Sequence, residues 1–309
     1  MLRVIQVALN TSDLAGSLRL YSEAFGFQNA GGQGLWGSAI GTQGLPPESR
    51  GLVWWMVGRQ TFFQLEFFHH SVPAQRPLPA DWRPSDHGWS QLGIVVEDFD
   101  RCFAALKRHG VAALTEPVDY QGQRRAAIRD PFVGVIVEII ERAVAKDEAA
   151  KGPAILYARS SVSDLASART FYTEVLGLGV AAAEVLHVPT HEALWGLPGA
   201  QREALVVRVG EMYLEIVEYR APVGRPRRKD YRASDQGIVN VALGSRAKAT
   251  VLSALERVRA AGYEPPKMFE GGDSISGYII DAERELEFAA LPESLDAASG
   301  FVASNPFYT

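Results

Sequence analysis

The sequence predicts an α+β protein assembled from four copies of one β-α-β-β-β unit, and three observations carry that prediction. The first is a long repeat. Asp81-Trp82-Arg83-Pro84-Ser85-Asp86-His87-Gly88 returns 149 residues later as Asp230-Tyr231-Arg232-Ala233-Ser234-Asp235-Gln236-Gly237, close to half of a 309-residue chain. The second is the stretch after each copy: an alternating apolar run, Trp89–Val96 or Ile238–Leu243, then a helical segment ended by Gly110 or Gly262. The third is that each half also opens with an apolar strand and the same helix start, Ser12-Asp13-Leu14-Ala15 and Ser163-Asp164-Leu165-Ala166. Self-similarity at a fixed offset marks an architecture of repeated units.

In chain order, residues 2–9 alternate with the period of a strand. Thr11-Ser12-Asp13 then offers N-cap oxygens for a helix through about Ala24, closed by Gly26. Residues 28–50, rich in Gly, Gln, Ser and Pro, are expected to form a long loop with at most one short strand. Strands Gly51–Val57 and Thr61–Phe68 complete the first unit, and a proline-rich connector runs from His69 to Asp86. The second unit is strand Trp89–Val96, helix Asp98–His109, and strands near Ala112–Leu114, Ala126–Arg129 and Gly134–Glu141. A charged linker lies at 144–153. The third unit has strand Ala154–Ser161, helix Leu165–Leu176 and strands Glu203–Val209 and Met212–Glu218. The fourth has strand Ile238–Leu243, helix Ala247–Ala261 and strands near Ser276–Asp281 and Glu285–Ala290, before the tail Leu291–Thr309.

Composition sets the class of protein. About half of the residues are apolar (47%) and 22% are charged, as in ordinary globular chains. The formal charge of −5 supplies no basic footprint for nucleic acid. The basic run Arg225–Lys229 is the local exception, read as a solvated loop or as a grip on an anionic partner. A single cysteine, Cys102, allows no intrachain disulfide. No stretch has the length and apolarity of a membrane span, and no secretory signal pattern opens the chain. The expectation is a cytoplasmic protein that engages neither membrane nor nucleic acid, with self-association into a homodimer left open.

The repeated units, the Val-Ser-Asp-Leu cap, Phe-Tyr-x-Glu-x-Leu-Gly-Leu at Phe171–Leu178 and Asp-Pro-x-x-Gly-x-x-x-Glu at Asp130–Glu138 resemble the vicinal oxygen chelate superfamily. That family includes glyoxalase I, extradiol dioxygenases and fosfomycin-resistance proteins. The resemblance covers nearly the whole chain and implies units paired into two cup-shaped domains. These are an N-terminal cup over residues 1–143 (units one and two), the linker 144–153, a C-terminal cup over residues 154–291 (units three and four) and a tail, 292–309. It further implies a divalent metal where inward residues of each cup converge. Carried onto the N-terminal half, those positions are Gln6, Glu66, Gln91 and Glu138; in the C-terminal half they are Tyr157, Glu215, Asn240 and Glu287. No histidine stands at any of the eight, whereas the family's metal sites usually have one. Two carboxylates and two amides suit Mg²⁺ or Mn²⁺ better than Zn²⁺ or Fe²⁺. The two-histidine, one-carboxylate triad of oxygen-activating sites is missing, which disfavours an extradiol-type dioxygenase.

The fold hosts unrelated chemistries, so function rests on the side chains. Inward glutamates are costly to bury unpaired, and a desolvated Glu is a competent base for a proton next to a carbonyl. Glu66 and Glu138 are the expected acid–base pair, with His87 and Tyr120 as further catalytic candidates. Phe62, Phe68, Trp36 and Arg124 are the expected substrate contacts. The leading expectation is a lyase or isomerase working by carboxylate-mediated proton transfer on an apolar or aromatic carbonyl-type substrate, with or without Mg²⁺ or Mn²⁺. The alternative is a binding protein that sequesters an apolar small molecule. Arg159, on the strand face of Tyr157, is expected to neutralise Glu215 or Glu287, and the loop His187–Gly199 is read as a cover for a cup or as plain surface.

Overall fold

The computed structural model describes residues 1–142, 151–264, 267–280, 283 and 285–305. The expected linker therefore lies outside the described residues up to position 150, as do Asp281 at the end of an expected strand and the last four residues of the tail. The first unit is β1 (Arg3–Asn10), α1 (Leu14–Leu20), β2 (Gln28–Trp36), α2 (Ser38–Gly41), β3 (Arg50–Val57) and β4 (Gln64–Val72). The second is β5 (Gly88–Val96), α3 (Phe99–Arg108), β6 (Val118–Tyr120), β7 (Gln123–Arg129) and β8 (Ile136–Glu141). The third is β9 (Ala154–Ser161), α4 (Leu165–Arg169), β10 (Gly179–Ala181), β11 (Gln201–Val209) and β12 (Met212–Ala221). The fourth is β13 (Gly237–Ser245), α5 (Lys248–Ala260), β14 (Lys267–Gly271), β15 (Ser274–Ile280) and β16 (Glu285–Ala290).

Helix starts obey the cap chemistry. Asp13, Asp98 and Asp164 each accept from the backbone N–H three residues on, satisfying a donor that the first turn leaves free. β2 is longer than expected because its glycines are sites of contact rather than loop signals. A Cβ on Gly32 would sit 2.5 Å from the Trp54 ring, so only glycine lets that indole lie against the strand. The strand expected near Ala112–Leu114 is absent, and a short strand forms at Val118–Tyr120 instead.

The strands form two eight-stranded sheets. One runs β14-β15-β16-β13-β1-β4-β3-β2, and the other β10-β11-β12-β9-β5-β8-β7-β6. This corrects the expected pairing. Unit one joins unit four through antiparallel β1 and β13, and unit two joins unit three through antiparallel β5 and β9. The first cup is thus built from the two ends of the chain and the second cup from its middle. One face of each sheet packs against the helices in a shared apolar core that includes Leu9, Leu65 and Phe67 of one sheet and Leu92, Ile94 and Leu214 of the other. Each such buried side chain contributes roughly 1.5–3 kcal/mol. The opposite faces form the cups.

The repeated motif explains how the chain crosses between sheets. Arg76, in the first connector, bonds Asp230 and Asp235 of the second, at 2.5 and 2.6 Å. Arg225, in the second connector, bonds Asp81 and Asp86 of the first, the latter at 2.7 Å. Each guanidinium thus holds the other connector's copy of the motif, and Arg225 is a clamp rather than a solvated charge. Within the motif Arg83 and Arg232 are secondary, 3.7 and 3.8 Å from Asp86 and Asp235.

Candidate functional site

The floor of the first cup is set by strand register. Ala8 lies directly between Glu66 on β4 and Asn240 on β13. Gln6 pairs with Ala242, which in turn lies beside Glu287 on β16. All are on one face, because opposed residues in neighbouring strands point the same way. The two alanines leave room for the longer side chains to converge. The Gln6 amide nitrogen donates to Glu66 Oε2 at 2.6 Å and to Glu287 Oε2 at 3.2 Å, so both carboxylates meet at one point. Trp55 Nε1 donates to the other Glu66 oxygen at 2.9 Å. Neither polar atom of the fully buried Asn240 side chain has a hydrogen-bond partner among the described residues.

Among the described residues, neither glutamate of this cup has a cationic partner. Burial, then the charge of Glu287, pushes Glu66 up to about 8, against the pull of the Trp55 N–H. Burial likewise pushes Glu287 up to about 7, against hydrogen bonds from Tyr278, Ser276 and Gln6. The pair therefore shares a proton near neutral pH. Beside Glu66 is a cavity of about 120 Å³ whose walls include Trp55, Phe68, Phe269 and Tyr278. The C-terminal segment closes over this cup. Gly300 presses against the Trp55 ring, Phe301 packs at a tilt on Phe62 with ring centroids 4.9 Å apart, and Arg246 ties Asp296 to the start of the fourth unit's helix.

The second cup has the same plan and opposite contents. Where the first has Ala8 between a glutamate and an amide, the second has Arg159 between Glu215 and Gln91. Gly93 takes the place of Ala242, and the Tyr157 ring lies over it, 2.1 Å from where a Cβ would be. The loop that joins β10 to β11 enters the cup. Its Glu192 bonds Arg159 at 2.6 Å and Arg202 at 2.8 Å, and its His187 stands between the two glutamates. His187 Nδ1 is 2.7 Å from Glu215 and Nε2 is 2.9 Å from Glu138. Burial pushes Glu138 and Glu215 up, but neighbouring charge outweighs it and holds both below the usual carboxylate range. His187 and Arg125 act on Glu138, and Arg159, His187 and Arg202 act on Glu215.

The expected ligand set Gln6, Glu66, Gln91 and Glu138 is thus split between two cups, because β1 and β5 stand in different sheets. Glu66 faces Glu287, not Glu138. Of the expected substrate contacts, Phe68 lines the cavity, whereas Phe62 is buried under Phe301 and Arg246. Trp36 is 64% exposed and does not line the cavity. Arg124 points away from the cups to Asp100 and Glu141, and its neighbour Arg125 points in. Tyr120 belongs to the rim of the second cup, where it donates to the Glu184 carbonyl at 2.6 Å. His87 lies in neither cup but beside a separate cavity of about 240 Å³ between the two connectors, with Trp82, Trp89 and Tyr231. Sequence reasoning placed Glu287 and Asn240 correctly as inward but in the wrong cup, and it left the seat of His187 undefined. The register of Arg159 was the one signal that the second cup is filled.

Two findings from comparison agree with this geometry. The model of the Glyoxalase/Bleomycin resistance protein/Dioxygenase superfamily matches residues 3–139 and 154–270, and the chain belongs to that superfamily. No curated protein matches it significantly. Among solved structures, glyoxalase I from Zea mays is similar at 15% identity and TM-score 0.63, covering 94% of this chain and 92% of that one. A putative dioxygenase from Bacillus subtilis is similar at 13% identity and TM-score 0.66, covering 98% and 91%. A Mn(II)-bound glyoxalase from Novosphingobium aromaticivorans matches at 12% identity and TM-score 0.32, covering 94% and 83%. For the first two of these the likeness, at such identities, is one of fold: two curled sheets of paired units. Among the described residues no helix is long and apolar enough to cross a membrane.

Among the described residues no three His, Cys, Asp or Glu side chains are grouped to hold a metal ion. A cation in the first cup would therefore rest on the carboxylates of Glu66 and Glu287 and the amide oxygen of Asn240. The two carboxylates and the unsatisfied Asn240 Oδ1 are oxygens of the kind a hard cation takes. The point where Glu66 and Glu287 meet is held by the Gln6 N–H donor, whose Oε1 accepts from Gln64, so Gln6 does not fit as a ligand in this arrangement. The second cup does not fit, since Arg125, Arg159 and His187 already meet its carboxylates.

Proposed function

We propose that the first cup is the working site of an isomerase or lyase that moves a proton next to a carbonyl group of a small apolar or aromatic substrate. The observation that carries this reading is the Glu66–Glu287 pair: two buried carboxylates without a cationic partner among the described residues, titrating near neutral pH beside an aromatic-walled cavity. A carboxylate poised near the working pH is suited to general acid–base chemistry. The ionised member takes the proton from the carbon next to the carbonyl. The C–H electron pair moves into a new C=C bond, and the carbonyl oxygen becomes an enolate. Where the substrate carries a C=C bond one carbon beyond, the enolate re-forms the carbonyl as its electron pair shifts along the substrate, and the protonated partner delivers its proton to the far carbon, giving isomerisation. Where a group leaves from the β-carbon, the C–X bond breaks as Cα=Cβ forms and that proton goes to the departing group, giving elimination. The Gln6 amide fixes both carboxylates in place. A divalent cation, if bound, would be held by the oxygens of Glu66, Asn240 and Glu287 and would polarise the substrate oxygen.

The cavity walls, with Trp55, Phe68, Phe269 and Tyr278, favour an apolar or aromatic ligand. That no arginine meets the glutamate pair among the described residues favours catalysis over sequestration. The test is hydrogen exchange in D₂O with a panel of 2-oxo acids and aromatic ketones, phenylpyruvate among them, monitored by NMR. Accelerated exchange that Glu66→Gln and Glu287→Gln both abolish supports the reading. Binding without exchange in any member of the panel would transfer the protein to the sequestering class, and exchange that survives both substitutions would remove the pair from the mechanism.

A further inference from the structure

The second cup has the strand plan of a ligand site, yet its centre is taken by the chain itself. His187 is fully buried, and both of its ring nitrogens face carboxylate oxygens, Glu215 at 2.7 Å and Glu138 at 2.9 Å. A carboxylate only accepts, and a neutral imidazole has only one N–H. Two such contacts at hydrogen-bond distance require two donors, which is the imidazolium. The rest of the loop fills the remaining space. Trp195 packs 5.2 Å from the His187 ring, and Leu186 and Leu194 join apolar clusters within the cup. Glu192 closes the network on Arg159 and Tyr219. At the equivalent positions of the first cup, Glu66 and Glu287 converge on an amide nitrogen instead.

We propose that the second cup is a self-ligated site, in which the loop 183–200 is the resident ligand and the His187 imidazolium is the cation that the two glutamates bind. The cup then takes no second substrate. With the side chain removed, it selects a small aromatic monocation over a neutral ring of similar size. This inference concerns the second cup alone and stands whether or not the first cup catalyses proton transfer.

The experiment is chemical rescue of His187→Ala, read by thermal unfolding. Breaking a buried ion pair on one side lowers Tm by about 5–8 °C in a chain of this size. Excess 4-methylimidazole at pH 6 is expected to raise the variant's Tm by several degrees and leave the wild type unchanged, while toluene does nothing. Equal rescue by toluene would show an apolar cavity only and overturn the proposal, as would a His187→Ala variant as stable as the wild type. If His187→Ala does not fold, His187→Gln keeps the bulk without the charge. A wild-type Tm in that variant would overturn the proposal, and a matching loss would uphold it. A double-mutant cycle with Glu215→Gln is expected to be clearly non-additive, and additivity would refute the direct ion pair.

Discussion

Replacing Glu287 by Gln tests whether the first cup's proton is held by two carboxylates acting on each other. Both Oε2 atoms touch the Gln6 amide nitrogen, which places the charges within about 6 Å of each other. At an effective dielectric of about 20 that separation is worth about 3 kcal/mol of repulsion, or about two pH units on a neighbouring carboxyl. Glu66, now pushed up to about 8, should fall to about 6 in the variant, remaining above an ordinary glutamate because burial is its larger cause. The assay is carbon NMR of labelled glutamate side chains against pH. The effect on stability has a definite sign. A carboxyl raised on folding stabilises the protein fully below its unfolded value and loses that contribution as pH rises through the folded value. The wild-type Tm should therefore decline from about pH 5 to about pH 8, and in Glu287→Gln the decline should be smaller and end near pH 6. A wild-type Glu66 that titrates as an exposed glutamate, or a Glu66 indifferent to Glu287→Gln, would refute the shared proton.

Other expectations concern the walls and the cover of the same cup. Trp55→Phe removes the donor that favours ionised Glu66, so the Glu66 titration should move up by about one unit, and no movement would show the 2.9 Å bond to be inert. Gly300→Ala sets a Cβ 2.3 Å from the Trp55 ring at a positive φ, which the C-terminal segment relieves by lifting. Amide exchange over residues 296–305 should accelerate in that variant, and unchanged protection would mean the segment adapts without leaving. Gly93→Ala makes the same intrusion on Tyr157 in the second cup, at 2.1 Å. It should destabilise the protein by about 1–3 kcal/mol in urea unfolding without affecting chemistry in the first cup; a neutral result would mean that the Tyr157 ring has room to move.

Local features of the chain decided a good deal. The repeat at 149 residues, the aspartate caps and the period-two strands are set by side-chain chemistry over short distances, and all reappear in the fold. Strand parity also settled which residues point into a cup. Glu66, Glu138, Glu215, Asn240 and Glu287 are all inward, because alternation along a strand is independent of what the strand pairs with.

Which inward residues share a cup was decided by tertiary structure alone. β1 could extend a sheet through any of the homologous first strands, and their similar apolar patterns do not discriminate among them. The choice of β13 over β5 is made by edge pairing across the chain and by the crossed clamps of Arg76 and Arg225, contacts about 150 residues apart in sequence. The same distance hid the difference between the cups. Ala8 and Arg159 occupy matching floor positions, yet only the docked loop shows that one floor is open beside two proton-sharing glutamates and the other is sealed by His187. A carboxylate's charge state depends on what stands within a few ångströms of it, and for these glutamates those neighbours come from distant parts of the chain.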